Sequence, residues 1–301
     1  MYSSSRACTS IQKSHLLAAA HCSVLRTVLL RALLPSVAVN MQQRLEHAPP
    51  QSCSPPSGGT PSVLVVVPGH GEPARSHIVQ SNLQRISSMR IRASCLLYTY
   101  GDKLSNGTLR ERFPGCEFVR QSGYWMHHLR AVPSSSACAH DFVLLMIDGV
   151  EMRADVDLRV LAAVMRHNNL TLAGPACASC KSKQLIRPVR DKPSHVVGRR
   201  IEYLDPQVQM YSTSAFLCLQ RLIDVVGLES DPTGWSISML STAFCGNRVG
   251  VVDAMTVEKV CKTSPLPLLP LRRCAYTVHP GPHTSQSVRY MWWQLVPCRS
   301  H

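Results

Sequence analysis

Six apolar residues in a row, Phe142–Ile147 (FVLLMI), run directly into Asp148-Gly149-Val150-Glu151. A run this short, with no polar residue on either alternating face, fits a strand covered on both sides, as in the interior of a parallel sheet. Open α/β sheets present ligand-binding groups outside the carboxyl edge of such strands. Asp148 is therefore a candidate ligand or metal contact, and equally a residue that caps the turn after the strand. Ser62–Val67 (SVLVVV) is a second run of the same kind. It stops at Pro68-Gly69-His70-Gly71, whose glycines let a ligand or a helix start come close to the backbone.

Between these anchors the pattern alternates. His77–Ser88 has Ile78, Val79, Leu83 and Ile86 near helical spacing, Ala93–Tyr100 is another buried strand closed by Gly101-Asp102, and Glu117–Arg120 is a weak one. Tyr124–Val132 and Val156–His167 read as helices. Tyr203–Ala215 and Leu217–Val226 read as a strand region and an apolar helix, Gly234–Ser238 leads into a short helix, and Arg248–Asp253 is a last buried strand ending in an acid. Strands alternating with helices predict an α/β fold with a mainly parallel central sheet flanked by helices.

Composition shifts divide the chain. Residues 1–61 hold an Arg-interrupted apolar stretch and a Pro/Ser/Gly-rich linker, Pro49–Pro61, so they read as a disordered leader. They fit an organelle transit peptide, a signal sequence or anchor, or a leader with no address. No uncharged apolar stretch reaches the roughly 18 residues that span a bilayer. Residues 62–261 form the α/β domain, and 262–301 are a basic, Pro-rich tail. The net charge of +14 invites a nucleic-acid reading, but the leader carries five basic residues against one acid and the tail five against none. The domain keeps 22 basic and 17 acidic residues, with seven of the basic ones in Lys181–Arg200. Such a loop is a solvated face or a cover for phosphates, and nothing interleaves aromatic with basic residues as a nucleic-acid groove would.

The 13 cysteines show no pairing pattern and read mostly as small buried apolar residues. Cys177-Ala178-Ser179-Cys180 has metal or redox spacing, without the second pair that a zinc ribbon needs, and a disulfide fits only a secretory chain. Adjacent His127 and His128 point about 100° apart on a helix, so one faces the core and the other a polar surround. Asn106-Gly107-Thr108 and Asn169-Leu170-Thr171 are glycosylation sequons, informative only in a secretory chain.

Taken in order, these segments resemble a plant and algal family called lysine ketoglutarate reductase trans-splicing related. The resemblance covers about 200 residues, Val63 to about Lys259. It rests on Gly69-His70-Gly71, Leu97–Asp102, Trp125–Ala131, Phe142–Glu151, Val208–Phe216, Gly234–Ser238 and Val249–Asp253. It implies a GT-A glycosyltransferase-like core that binds a nucleotide sugar and transfers the sugar to an unknown acceptor, in the secretory pathway or Golgi. Such cores bind Mn²⁺ or Mg²⁺ through an Asp-x-Asp-like cluster, and the hard cation neutralises the leaving diphosphate. Asp148 matches the first acid of that cluster, Val150 stands at the second, and Glu151 follows it. The resemblance further implies Gly69, Gly71, Asp102 and Lys259 as nucleotide-sugar contacts, with Lys259 at a position where a histidine ligand is expected. Trp235 would stack on the acceptor, and Ser238 stands where the acceptor-positioning acid is expected. These departures leave open metal-dependent transfer, metal-independent transfer through Lys259, and an inactive pseudoenzyme that binds a partner.

Overall fold

A computed structural model describes residues 43, 53, 59–100, 104–123, 125–180, 188–189, 197–201, 204–226 and 241–260. Apart from Gln43, these fall in one compact unit, Pro50–Pro282. The strands are β1 Ser62–His70, β2 Arg92–Thr99, β3 Cys116–Arg120, β4 Phe142–Met146, β5 Val150–Met152, β6 Leu172–Cys177, β7 Arg199–Ile201, β8 Val208–Ser212 and β9 Val249–Lys259. The helices are α1 Ser76–Ser88, α2 Asn106–Arg112, α3 Trp125–Ala131, α4 Ser134–Cys138, α5 Leu158–His167 and α6 Thr213–Val226.

The strands form one nine-stranded sheet in the order β3-β2-β1-β4-β8-β6-β9-β5, with β7 also on β9. The expected mainly parallel sheet is corrected to a mixed one. The pairs β1–β2, β2–β3, β1–β4 and β6–β9 are parallel, whereas β4–β8, β6–β8, β5–β9 and β7–β9 are antiparallel. The physical reason lies in β8. It enters the sheet antiparallel between β4 and β6, and its pattern (VQMYS) is as buried as that of a parallel strand. Periodicity reports burial on both faces and carries no strand direction.

Burial follows the sequence pattern closely elsewhere. All of Phe142–Met146 is buried, and so is all of Ser62–Val67. Parallel register sets Val63, Val65 and Val67 on one face with Phe142, Leu144 and Leu97, while Val66 shares the opposite face with Leu145. The first face meets α1 and α5: Asn82 reaches Met146 Sδ at 3.2 Å, and the Arg166 guanidinium lies 5.5 Å over the Phe142 ring. α3, α4 and α6 pack together on the other side, where Gln220 of α6 donates to the Leu129 and Val132 carbonyls at 3.0 and 2.8 Å. Asn82 also completes the edge of β5, accepting from Met152 N at 2.8 Å and donating to Val150 O at 2.7 Å.

Every described cysteine is disulfide-bonded: Cys53–Cys138, Cys95–Cys116, Cys177–Cys180 and Cys218–Cys245. This corrects the reading of the cysteines as mostly apolar filler. Cys95 and Cys116 face each other across β2–β3, a juxtaposition set by sheet register and invisible in their sequence spacing. Among the described residues no helix is long and apolar enough to cross a membrane.

Candidate functional site

The strand order contains a topological switch. From β1 the chain adds β2 and β3 on one side, then crosses to place β4 on the other side of β1. In α/β sheets ligands bind outside the carboxyl ends of the strands at such a point, here those of β1 and β4. Both ends carry the residues that the sequence marked. β1 delivers Gly69-His70-Gly71, and β4 delivers Asp148-Gly149 on a turn closed by Val150 N donating to Ile147 O at 3.4 Å.

Asp148 joins the two. Its Oδ2 faces His70 Nδ1 at 3.2 Å, and Arg75 Nη1 donates to its Oδ1 at 2.7 Å. A carboxylate only accepts, so the proton on that side of the imidazole sits on Nδ1. His70 Nε2 faces Ser76 Oγ, the first residue of α1, at 3.0 Å. Burial alone would raise the Asp148 carboxyl. The hydrogen bonds from His70 and Arg75, with the Arg75 charge, outweigh it and hold the group below the ordinary carboxylate value. The Arg75 side chain is 29% exposed, and it lies over Gly149, where an added Cβ would stand 3.4 Å from Nη1.

The order Ser76, His70, Asp148 is that of a hydrolase triad. Ser76 and His70 are both 0% exposed, and Arg75 already occupies the second carboxylate oxygen. No substrate carbonyl reaches Ser76 Oγ through that packing, so the chain of contacts serves to fix the Asp148 carboxylate between β1 and β4.

Tyr100, just after β2, forms one wall. Its ring is 41% exposed and lies on Gly71 so closely that an added Cβ would stand 2.5 Å from it. Its hydroxyl is raised by partial burial and by the charges of Asp148 and Glu72. Gly69 adopts φ +76, open to glycine, and a Cβ there would touch both Tyr100 and His128 at 3.8 Å. His128 on α3 is the core-facing member of the histidine pair. It is 1% exposed, edge-on to Tyr98 at 5.5 Å, and burial followed by the neighbouring His127 pushes it down to about 4. His128 Nδ1, Tyr98 Oη and Thr99 Oγ1 are buried without a hydrogen-bond partner among the described residues.

The structure thus brings Gly69, Gly71 and Asp148 together at the carboxyl ends of β1 and β4. Lys259 arrives beside them: it is exposed, pairs with Val150 across β5–β9, and the next residue donates from Val260 N to Gly149 O at 2.9 Å. Glu151 goes elsewhere. Its neighbours Val150 and Met152 are buried, and Glu151 shares the opposite face of β5 with Glu258, which pairs with Arg153 at 2.5 Å. Asp102, Trp235 and Ser238 lie outside the described residues. Asp253, expected at a strand end, instead sits mid-strand where β9 loses register with β6, and it pairs with Arg199.

The acids present do not assemble a divalent-cation site among the described residues. Both Asp148 oxygens are engaged, Val150 is apolar, and among the described residues no three His, Cys, Asp or Glu side chains gather. His70, Arg75 and Tyr100 were missed as site residues. Only the GHG turn flagged the first. Arg75 carries no motif and becomes legible only when the short 3₁₀ turn Pro73–Arg75 swings it to Asp148.

The sequence matches no family model and no curated protein. Among solved structures it is similar to GalNAc-T7 crystallised with UDP, GalNAc and Mn²⁺, at 10% identity and TM-score 0.45 over 68% of this chain. A nucleotide-diphospho-sugar transferase candidate from Desulfovibrio desulfuricans G20 is similar at 12% identity and TM-score 0.41 over 64% of this chain and 80% of its own. S. aureus TarS is similar at 11% identity and TM-score 0.43 over 67%. This chain spans 44% of the first of these structures and 37% of the third.

Proposed function

We propose that this chain is a glycosyltransferase-like protein that binds a nucleotide sugar at the carboxyl ends of β1 and β4. The observation that carries the reading is the Asp148 carboxylate, pinned by His70 and Arg75 across the switch point, where α/β sheets bind ligands. The sequence resemblance to the trans-splicing related family supplies the ligand class. In this reading Gly69 and Gly71 let the ligand approach the backbone, and the exposed Tyr100 ring offers a stacking face. The N–H groups of Arg75 not engaged by Asp148 meet the diphosphate, with Lys259 beside them. A guanidinium matches paired phosphate oxygens and keeps its charge, so it does part of what a divalent ion does elsewhere.

A second reading is a protein that binds the donor and transfers nothing. The engaged Asp148 and the apolar Val150 favour it, because neither offers a free carboxylate. Melting curves with UDP- and GDP-sugars, with and without Mn²⁺, test the first reading. A rise with at least one donor, equal with and without Mn²⁺, is expected, and no rise with any donor refutes nucleotide-sugar binding. Release of nucleoside diphosphate then separates the two readings: binding without release over hours identifies the inactive protein.

A further inference from the structure

Two asparagines on opposite parts of the sheet share an arrangement that the nucleotide site does not use. Asn106, the first residue of α2, and Asn169, in the turn after α5, both head Asn-x-Thr sequences and are both exposed. Arg120 Nε donates to Asn106 Oδ1 at 3.1 Å, and Arg248 Nη2 donates to Asn169 Oδ1 at 2.5 Å. Arginine has donors only, so each contact fixes which end of the amide is oxygen. In both residues Nδ2, the nitrogen that carries a glycan, is left without a partner among the described residues. Asn169 sits at φ 53 and also offers its carbonyl to Arg248 Nε at 2.5 Å, so the turn is held while Nδ2 stays clear. A glycan on Nδ2 leaves Oδ1 an acceptor, and neither arginine contact has to break.

A second observation is independent of the first. All eight described cysteines are paired, two of the bridges joining residues 85 and 27 positions apart. Complete pairing of this kind persists in secretory and extracellular compartments and is rare in the cytosol.

We propose that Asn106 and Asn169 are N-glycosylation sites of a chain that folds in an oxidising luminal or extracellular compartment. The co-reactant is a lipid-diphosphate-linked oligosaccharide. The bond from Nδ2 to the sugar's anomeric carbon forms as the bond from that carbon to the diphosphate oxygen breaks. The diphosphate leaves with the electron pair, and Nδ2 gives up one proton.

The test expresses the full chain in eukaryotic cells in two arms, with its own first residues and with an added cleavable secretion signal. Peptide-N-glycosidase digestion, followed by mass spectrometry of the peptides holding Asn106 and Asn169, reads occupancy. The expected result is two glycans in the first arm, one in Asn106→Gln, one in Asn169→Gln and none in the double variant. Thr108→Ser and Thr171→Ser should retain the glycans, because either hydroxyl residue completes the sequence. Glycan removal from the folded protein should leave the melting temperature within about a degree, and a large drop would contradict outward-facing amides. Unmodified peptides in both arms overturn the sites. Glycans confined to the second arm overturn the compartment. Alkylation of unreduced protein from the first arm should label none of the eight described cysteines, and labelling of these would overturn the compartment as well.

Discussion

Asp148→Asn keeps the shape of the side chain and removes its charge, which isolates the bridge between β1 and β4. The carboxylate accepts from Arg75 Nη1 at 2.7 Å and from His70 Nδ1 at 3.2 Å, with its side chain 8% exposed. An amide has one acceptor oxygen, so its Nδ2 must face one of these two donors. The change removes a charge-assisted hydrogen bond, about 1.5–3 kcal/mol, and strands a buried donor, about 1–3 kcal/mol. Arg75 is 29% exposed and water recovers part of its loss, so the net cost is about 3 kcal/mol. In a domain of this size that corresponds to roughly 6–12 °C in melting temperature. Urea unfolding should show a lower midpoint with an unchanged slope.

The same substitution has a pH signature. The Asp148 carboxyl is held below its ordinary value, so its contribution is full above the unfolded value near 4 and is lost as pH falls through the lower native value. The gap between wild type and Asp148→Asn should therefore be widest near pH 7 and close progressively below about pH 4. A loss under about 1 kcal/mol at pH 7, or a gap that does not change with pH, would refute the bridge as a stabilising element.

Three further outcomes follow from other parts of the structure. His128 is pushed down to about 4, so the unfolded chain binds its proton more readily between about pH 6.5 and 4, and wild-type stability falls as pH drops through that window. His128→Phe, which keeps an aromatic ring against Tyr98, should remove that part of the slope, as read from urea midpoints at pH 7 and pH 5. Gly174→Ala sets a Cβ 2.3 Å from the Val208 carbonyl, so β6 and β8 must part, at a cost of about 3 kcal/mol in chemical denaturation. Gly71→Ala meets the Tyr100 ring at 2.5 Å, but that ring is 41% exposed and swings aside, so nucleotide-sugar affinity should fall several-fold while the melting temperature changes little.

Much of the fold was legible because burial on both faces writes itself as uninterrupted apolar residues. Ser62–Val67, Ala93–Tyr100 and Phe142–Ile147 became β1, β2 and β4, with ends within three residues of the expected ones. β6 (LAGPAC) was not legible, because Gly174 and Pro175 interrupt its apolar run. In the fold that glycine is what lets the Val208 carbonyl approach, and the proline sits just before the register shift against β9. β5 escaped because three residues carry no periodicity, and it is held by β9 and by the Asn82 side chain. At the site, strand ends announced Gly69, Gly71 and Asp148. Of the partners that decide the chemistry, His70 ends β1 and Arg75 comes from a 3₁₀ turn whose path depends on tertiary packing. Glu151 lies away from Asp148 for a simple reason: a strand resumes at Val150, and alternation carries Glu151 to the opposite face from its buried neighbours.

The central claim is that the site bridged by Asp148 receives a diphosphate through Arg75. It is tested most directly by titration calorimetry of the donor that gives the largest melting shift, against wild type and Arg75→Gln under conditions where both are folded. The account predicts a dissociation constant at least tenfold weaker in the variant, about 1.4 kcal/mol, with no dependence on added Mn²⁺ in wild type. Equal affinity in the two proteins would contradict it.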